Sequence, residues 1–235
     1  IISVFYYPTI LYKKLPVPSD ALVGLYHPFR DLYAETNPRG VPFKNFLITD
    51  PVRQQIPWRK ISIDQWKDRI LPSWNPYTFS GTPLAGNIQA GVFYPLNIVF
   101  FLFSFPIAWT VLIMLQQFLA GIFLYIYLRH LSFHPYVASF GSLVWSLSGF
   151  MIAWLTWGTI GHVALWLPLV LLSIDRCLSE QDKKKLFWYG LFIMSLSMQF
   201  FAGHIQVFLY CLLLSAVYGI WKVRALPKKL IRKTT

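Results

Sequence analysis

The sequence predicts an all-α polytopic membrane protein, and three observations lead there. Hydrophobic residues make up 56% of the 235 and charged ones only 13%, about half the share usual in a soluble domain. The apolar residues gather in runs close to the roughly 20 that a helix needs to cross a bilayer. Lys and Arg collect at alternate connections between those runs, as they do in short cytoplasmic loops.

Residues 1–11, IISVFYYPTIL, are apolar but only about half a span long. The chain opens on Ile1 rather than Met, so this segment is expected to be the end of a truncated first transmembrane helix. Residues 12–107 are expected to form a long outer loop with short and interfacial helices. Prolines punctuate 15–18 and 37–42, which predicts loop or extended chain. A short helix is expected over 62–70, with Ser62 as its cap and Ile63, Trp66 and Ile70 on one face. Residues 93–105 are apolar and aromatic but too short to span, with Pro95 and Pro106 near their ends, so they are expected along the membrane interface.

Residues 108–221 are expected to hold five full spans, at 108–128, 135–157, 160–178, 186–202 and 205–221. Arg129, His130, Arg176 and residues 183–185 are basic, as is the tail 222–235, whereas 158–161 and 203–204 carry no Lys or Arg. The alternation places 222–235 in the cytoplasm, as a basic loop at which the chain again looks truncated, and 12–107 outside. The long loop has basic residues of its own, but long translocated loops are largely exempt from that rule. Much of the basic charge behind the formal +12 thus flanks spans, which points to anionic membrane lipid and not to nucleic acid as partner. Cys177 and Cys211 have neither metal-ligand spacing nor disulfide logic and are expected to be small core residues. Asp175-Arg176 is expected to be a local ion pair. Gln116, Gln117 and Gln199 lie inside spans, where hydrogen bonding between helices is the default. Phosphate-binding P-loops, dinucleotide fingerprints and nucleophile elbows are absent from the sequence.

Candidate chemistry concentrates in the outer loop and at two Gly-His pairs. Ser19-Asp20 is followed by Pro28-Phe29-Arg30, and Thr49-Asp50 by Pro57-Trp58-Arg59, an imperfect repeat. Two capped helical turns would produce it. So would a general-base carboxylate with arginines that hold phosphate. Trp74, Asn75, Asn87 and Gln89 stand in a Pro- and Gly-rich run, where amides suit either sugar hydroxyls or the capping of irregular backbone. His162 and His204 each follow a glycine, and Gln206 lies beside the second. Interfacial histidines would be placed so, but a pair expected on one membrane face, opposite the same polar loop, also fits a site.

The stretches TDPVRQQIPWR, LPSWNPYTFSGTPLAGNIQAGVFYPLN, SLSGFMIAWLTWGTIGHVALWLPLVLLSIDR and FAGHIQ resemble the bacterial YfhO-type membrane protein family, within the GT-C superfamily of membrane glycosyltransferases. The resemblance implies a GT-C-like fold in a longer multi-span protein of the bacterial cell membrane, of which this would be the N-terminal part. It also implies a polyprenyl-phosphate-sugar donor used on the outer face, a glycan, lipid or protein acceptor, and a catalytic carboxylate in the first outer loop. That carboxylate would be Asp50 or Asp20, with Asp50 preferred because it adjoins the more specific motif. The adjacent acidic pairs of better-known members are absent, so a divalent metal is left open without a ligand motif to hold it. The expected mechanism is direct displacement: Asp50 deprotonates an acceptor hydroxyl, while Arg53 and Arg59 stabilise charge on the departing lipid phosphate. Asn75, Asn87, Gln89, His162 and His204 would orient sugar or pyrophosphate oxygens, and Gln54, Trp58, Trp74 and Gln206 complete the candidate substrate-binding set. Two other classes stay open: a lipid or polysaccharide exporter, which would place polar groups on broken helices at mid-membrane, and a noncatalytic membrane assembly protein.

Overall fold

A computed structural model describes residues 6–12, 14–36, 38, 48–179 and 184–225. Residues 1–5 of the expected first span and 226–235 of the basic tail lie outside the described residues, as do 180–183. The chain divides into two compact units, one comprising residues 1–115 and 153–158, the other 116–152 and 159–235.

In the first unit, α1 (Tyr7–Tyr12), α2 (Asp20–Leu25) and α3 (Phe29–Thr36) are short. A wide π-helical turn, Pro51–Gln55, then leads into α4, Ile56–Lys67. Proline explains the widening. Pro57 has no N–H to offer and its ring crowds the carbonyl four residues back. The Ile56 N–H instead reaches the Pro51 carbonyl, five residues back. The helix expected over 62–70 therefore begins earlier. Ser62 does not cap it but lies buried in its interior, Ile63 is buried, Trp66 is half-buried, and Ile70 is exposed beyond the end. Two two-residue strands follow, β1 (Trp74–Asn75) and β2 (Thr82–Pro83), antiparallel with Trp74 opposite Pro83. Leu84, Ala90 and Val92 form a small core under Trp58, Ile61 and Trp66. Residues 93–105 hold a 3-10 turn, Pro95–Ile98, and α5, Val99–Leu102. Then α6, Phe105–His130, starts; Pro106 sits in its first turn, where a missing N–H costs nothing.

In the second unit the later part of α6 is followed by α7 (Pro135–Ser146) and α8 (Gly149–Ala153), separated at Leu147-Ser148 beside Gly149. Next come α9 (Ile160–Ala164) and α10 (Leu167–Leu178), separated at Leu165-Trp166 just before Pro168. The last two are α11 (Lys185–Phe201) and α12 (Ile205–Ala225). Ser-Gly and Pro are the usual causes of such interruptions. Among the described residues, four segments are long and apolar enough to cross a membrane: Phe105–His130, Pro135–Ala153, Ile160–Leu178 and Ile205–Ala225. Five were expected. The segment at 186–202 is the 17-residue helix α11, roughly 26 Å long at 1.5 Å per residue, at the short end of spanning lengths. Leu209, Leu213, Val217 and Ile220 of α12 are exposed, an apolar face that suits lipid and would be costly in water.

Candidate functional site

The two copies of the Asp-to-Arg repeat adopt different structures. Asp20 opens α2 and Asp50 precedes the π turn, both half-buried, and neither helix start has a side-chain cap hydrogen bond. Helix starts at both places agree with the plainer reading of the repeat, but the carboxylate of Asp50 is not used as the cap. Arg53, three residues on, is exposed and lies over the Tyr26 ring at 5.8 Å. That contact joins the second copy to the stretch between Asp20 and Pro28 of the first. Thr49 accepts from the Arg53 N–H at 3.0 Å, so this backbone is helical and Asp50 and Arg53 share a face.

Arg30 is the second residue of the exposed helix α3, whereas Arg59 is 1% exposed inside α4. The Arg59 guanidinium donates to Asn97 Oδ1, to the Gly91 carbonyl at 3.4 Å and toward the Gly158 carbonyl at 3.5 Å. Asn97 Nδ2 donates to the same Gly91 carbonyl at 2.7 Å. Burial lowers the Arg59 pKa to about 10, so the side chain stays charged at neutral pH. Buried charge is tolerated only when it is well hydrogen-bonded. Gly91 is required on two counts: its φ is +58°, and a Cβ there would lie 2.7 Å from the guanidinium nitrogens.

The amides of the loop serve mainly its own backbone. Asn75 is buried; its Oδ1 accepts from the Tyr77 N–H at 2.9 Å and its Nδ2 donates to Thr78 at 3.1 Å. Asn87 accepts from the Gln89 N–H at 3.2 Å and starts the 3-10 turn Ile88–Ala90. Gln55 Nε2 donates to Gln89 Oε1 at 2.8 Å, and Gln54 is half-buried beside it. Trp58 packs on the small core, and Trp74 is half exposed over Gly81. The β1–β2 connection exposes Tyr77 and Phe79, the latter 93% exposed at φ +49°.

The other candidates belong to the second unit. His162 is fully buried in α9. His204 is half-buried in the turn before α12; its Nδ1 accepts from the Val207 N–H at 3.4 Å, and burial lowers its pKa. Gln206 is exposed and bonded to Tyr210 at 2.7 Å. Among the intramembrane glutamines, Gln117 donates to the Ser146 carbonyl of α7 at 3.4 Å. The expected hydrogen bonding between helices is not found for Gln116 and Gln199, whose amide atoms are buried without a partner among the described residues. Asp175 also departs from expectation: its partners are Lys222 at 2.9 Å, His130 at 3.2 Å and the Tyr218 hydroxyl at 2.9 Å, on other helices, while Arg176 lies over Trp188. Among the described residues, no group of three or more His, Cys, Asp or Glu side chains could hold a metal ion.

Asn97, Gly91 and Gly158 are the partners that sequence reasoning missed. They lie 32 to 99 residues from Arg59, and the one local signal was the set of amides Asn87, Gln89 and Asn97 around Gly91. Comparison with curated proteins found no match, nor did comparison with solved structures. The family model described as bacterial membrane protein YfhO matches residues 87–234, a stretch that includes Gly91, Asn97, Gly158 and both Gly-His pairs. With apolar helices of spanning length and most of its residues within that match, the chain belongs to the YfhO family of bacterial membrane proteins.

Proposed function

We propose that the protein transfers a sugar from a polyprenyl-phosphate donor to a cell-envelope glycan, lipid or protein acceptor. The observation that carries this reading is the placement of Asp50, at the start of the wide turn, one helical turn before Arg53. A half-buried carboxylate that does not cap its own helix can take a proton from an acceptor hydroxyl. An exposed guanidinium one turn away can meet a phosphate leaving group with two parallel hydrogen bonds. Wide helical turns are frequent at functional sites. Displacement at the anomeric carbon then forms the bond to the acceptor oxygen, breaks the bond to the phosphate oxygen, and inverts the sugar. Arg59, Asn75 and Asn87 act in this reading as positioning residues, since each is engaged with the lobe's own backbone or with Asn97. The exposed Trp74, Tyr77 and Phe79 offer flat apolar faces on which a sugar ring can stack.

The test is transfer of labelled sugar from a polyprenyl-phosphate donor in membranes that contain the protein. Asp50→Asn keeps the size and removes the base, and should lower transfer by about two to four orders of magnitude. Asp20→Asn separates the two repeat copies. Full activity of Asp50→Asn with a dead Asp20→Asn moves the base to the first copy; full activity of both ends the carboxylate mechanism.

One observation favours a second reading, export of a lipid or polysaccharide. The segments 135–153 and 160–178 are interrupted, and Gln116, Thr159, His162 and Gln199 are fully buried, as in transporters that bind cargo at broken helices. Lipid-linked cargo crossing proteoliposomes at an undiminished rate with Asp50→Asn would support it.

A further inference from the structure

We propose that the basic end of the second unit binds the headgroup of an anionic membrane phospholipid. A cavity of about 290 Å³ opens there, lined by His130, Leu131, Asp175, Leu178, Ser179 and Lys222. It lies where the ends of α6, α10 and α12 meet. Its walls are two-sided in character: Lys222, His130 and Ser179 supply polar and cationic groups, and Leu131 and Leu178 supply apolar ones. That is the division a phospholipid needs at the join of headgroup and acyl chain, and a free anion has no use for the leucines.

The electrostatics favour a negative guest. Asp175 is only 6% exposed, and its charge is answered by Lys222 Nζ at 2.9 Å, His130 Nε2 at 3.2 Å and the Tyr218 hydroxyl, which in turn accepts from Tyr127 at 2.9 Å. This network fixes Lys222 at the cavity and uses one of its three donors. In sequence, Arg129, Arg176, Lys184, Lys185 and Arg224 lie within a few residues of the lining positions, against Glu180 and Asp182, so basic residues outnumber acidic ones at this end of the unit. The helices that form the mouth carry exposed Ile126, Val217, Ile220 and Trp221, so acyl chains can continue along them. Basic pockets between membrane helices are known to take acidic headgroups in this way.

The experiment is native mass spectrometry of the full chain in detergent, with phosphatidylglycerol, phosphatidylcholine or inorganic phosphate added. Phosphatidylglycerol should be retained about fivefold more strongly than phosphatidylcholine, the worth of one well-placed lysine. Lys222→Gln should erase that difference and Lys222→Arg should keep it. Because Lys222→Gln leaves Asp175 short of a counter-ion, Ser179→Trp provides a second variant that fills the cavity without touching the ion pairs; it too should erase the preference. Equal retention of the two lipids by the wild-type chain, or a preference that survives Ser179→Trp, overturns the proposal. Displacement of phosphatidylglycerol by inorganic phosphate would reduce the site to an anion site and overturn the lipid assignment.

Discussion

Arg59 shows how a motif can be conspicuous while its role stays hidden. A Pro-Trp-Arg triplet beside Asp50 reads as phosphate-binding, and nothing in the local spacing says otherwise. What reassigns it is burial: a cation 1% exposed, held by Asn97 and by carbonyls at Gly91 and Gly158. Asn97→Leu should destabilise the protein by about 2–3 kcal/mol, the range for a lost hydrogen bond to a charged group. Gly91→Ala should cost at least about 1–2 kcal/mol through its left-handed backbone alone, with the clash against the guanidinium added. Thermal unfolding in detergent checks both, and a wild-type melting temperature in either variant would break the Arg59 assignment. His204 gives a pH prediction. Burial lowers its folded-state pKa below the ordinary 6.5, so the unfolded chain takes the proton first. Stability should therefore be intact above about pH 6.5 and fall as the pH drops through the window below it. The melting temperature should decline as the pH falls below about 6.5, and His204→Gln should flatten that decline.

The helices themselves were largely legible, because apolar runs of membrane length leave few alternatives. Their interruptions were not. Ser148-Gly149 and Pro168 are visible in the sequence, but a Gly or Pro in an apolar run is tolerated when neighbours satisfy the freed backbone groups, so only packing decides whether the helix breaks. The start of α4 was missed for a related reason: Pro51 and Pro57 look like breakers, yet one sits at a first helical position and the other is accommodated by the wide turn. Close approach of α9 to α6 is a further case. A Cβ on Gly161 would collide with the Gln116 amide, whose Nε2 and Oε1 are both buried without a partner among the described residues. An orphaned amide costs about 1–3 kcal/mol, so Gln116→Leu should be neutral or stabilising if the residue only packs. Thermal unfolding reads that directly. A variant that is as stable as wild type but dead in sugar transfer or export would instead mark Gln116 as part of a site.

Family membership, four apolar segments of spanning length among the described residues and alternating basic ends agree on a membrane protein. The orientation of the polar lobe rests on how many times the chain crosses, and that number turns on α11. At 17 residues it is the shortest of the candidate spans, yet it is mostly apolar, with Ser195, Ser197 and Gln199 as its polar residues past Lys185; Lys184 and Lys185 stand at one end and the Gly203-His204 turn at the other. If α11 crosses, residues 184 and 206 face opposite sides, and the basic-loop rule puts 184 in the cytoplasm. If it lies along the interface, both face the same side, and α12 then enters from the wrong face for its own basic end. Lys184 and Gln206 are both exposed, whereas Thr159 is fully buried and would report on packing as much as on sidedness. In a background with Cys177 and Cys211 replaced, Lys184→Cys and Gln206→Cys should be labelled by a membrane-impermeant maleimide from opposite sides of intact cells and inverted vesicles. Labelling of both in intact cells would place α11 on the surface, leave α12 as it is but reverse the ends of the spans that precede α11, and remove the outward orientation on which use of a lipid-linked sugar at the outer face depends.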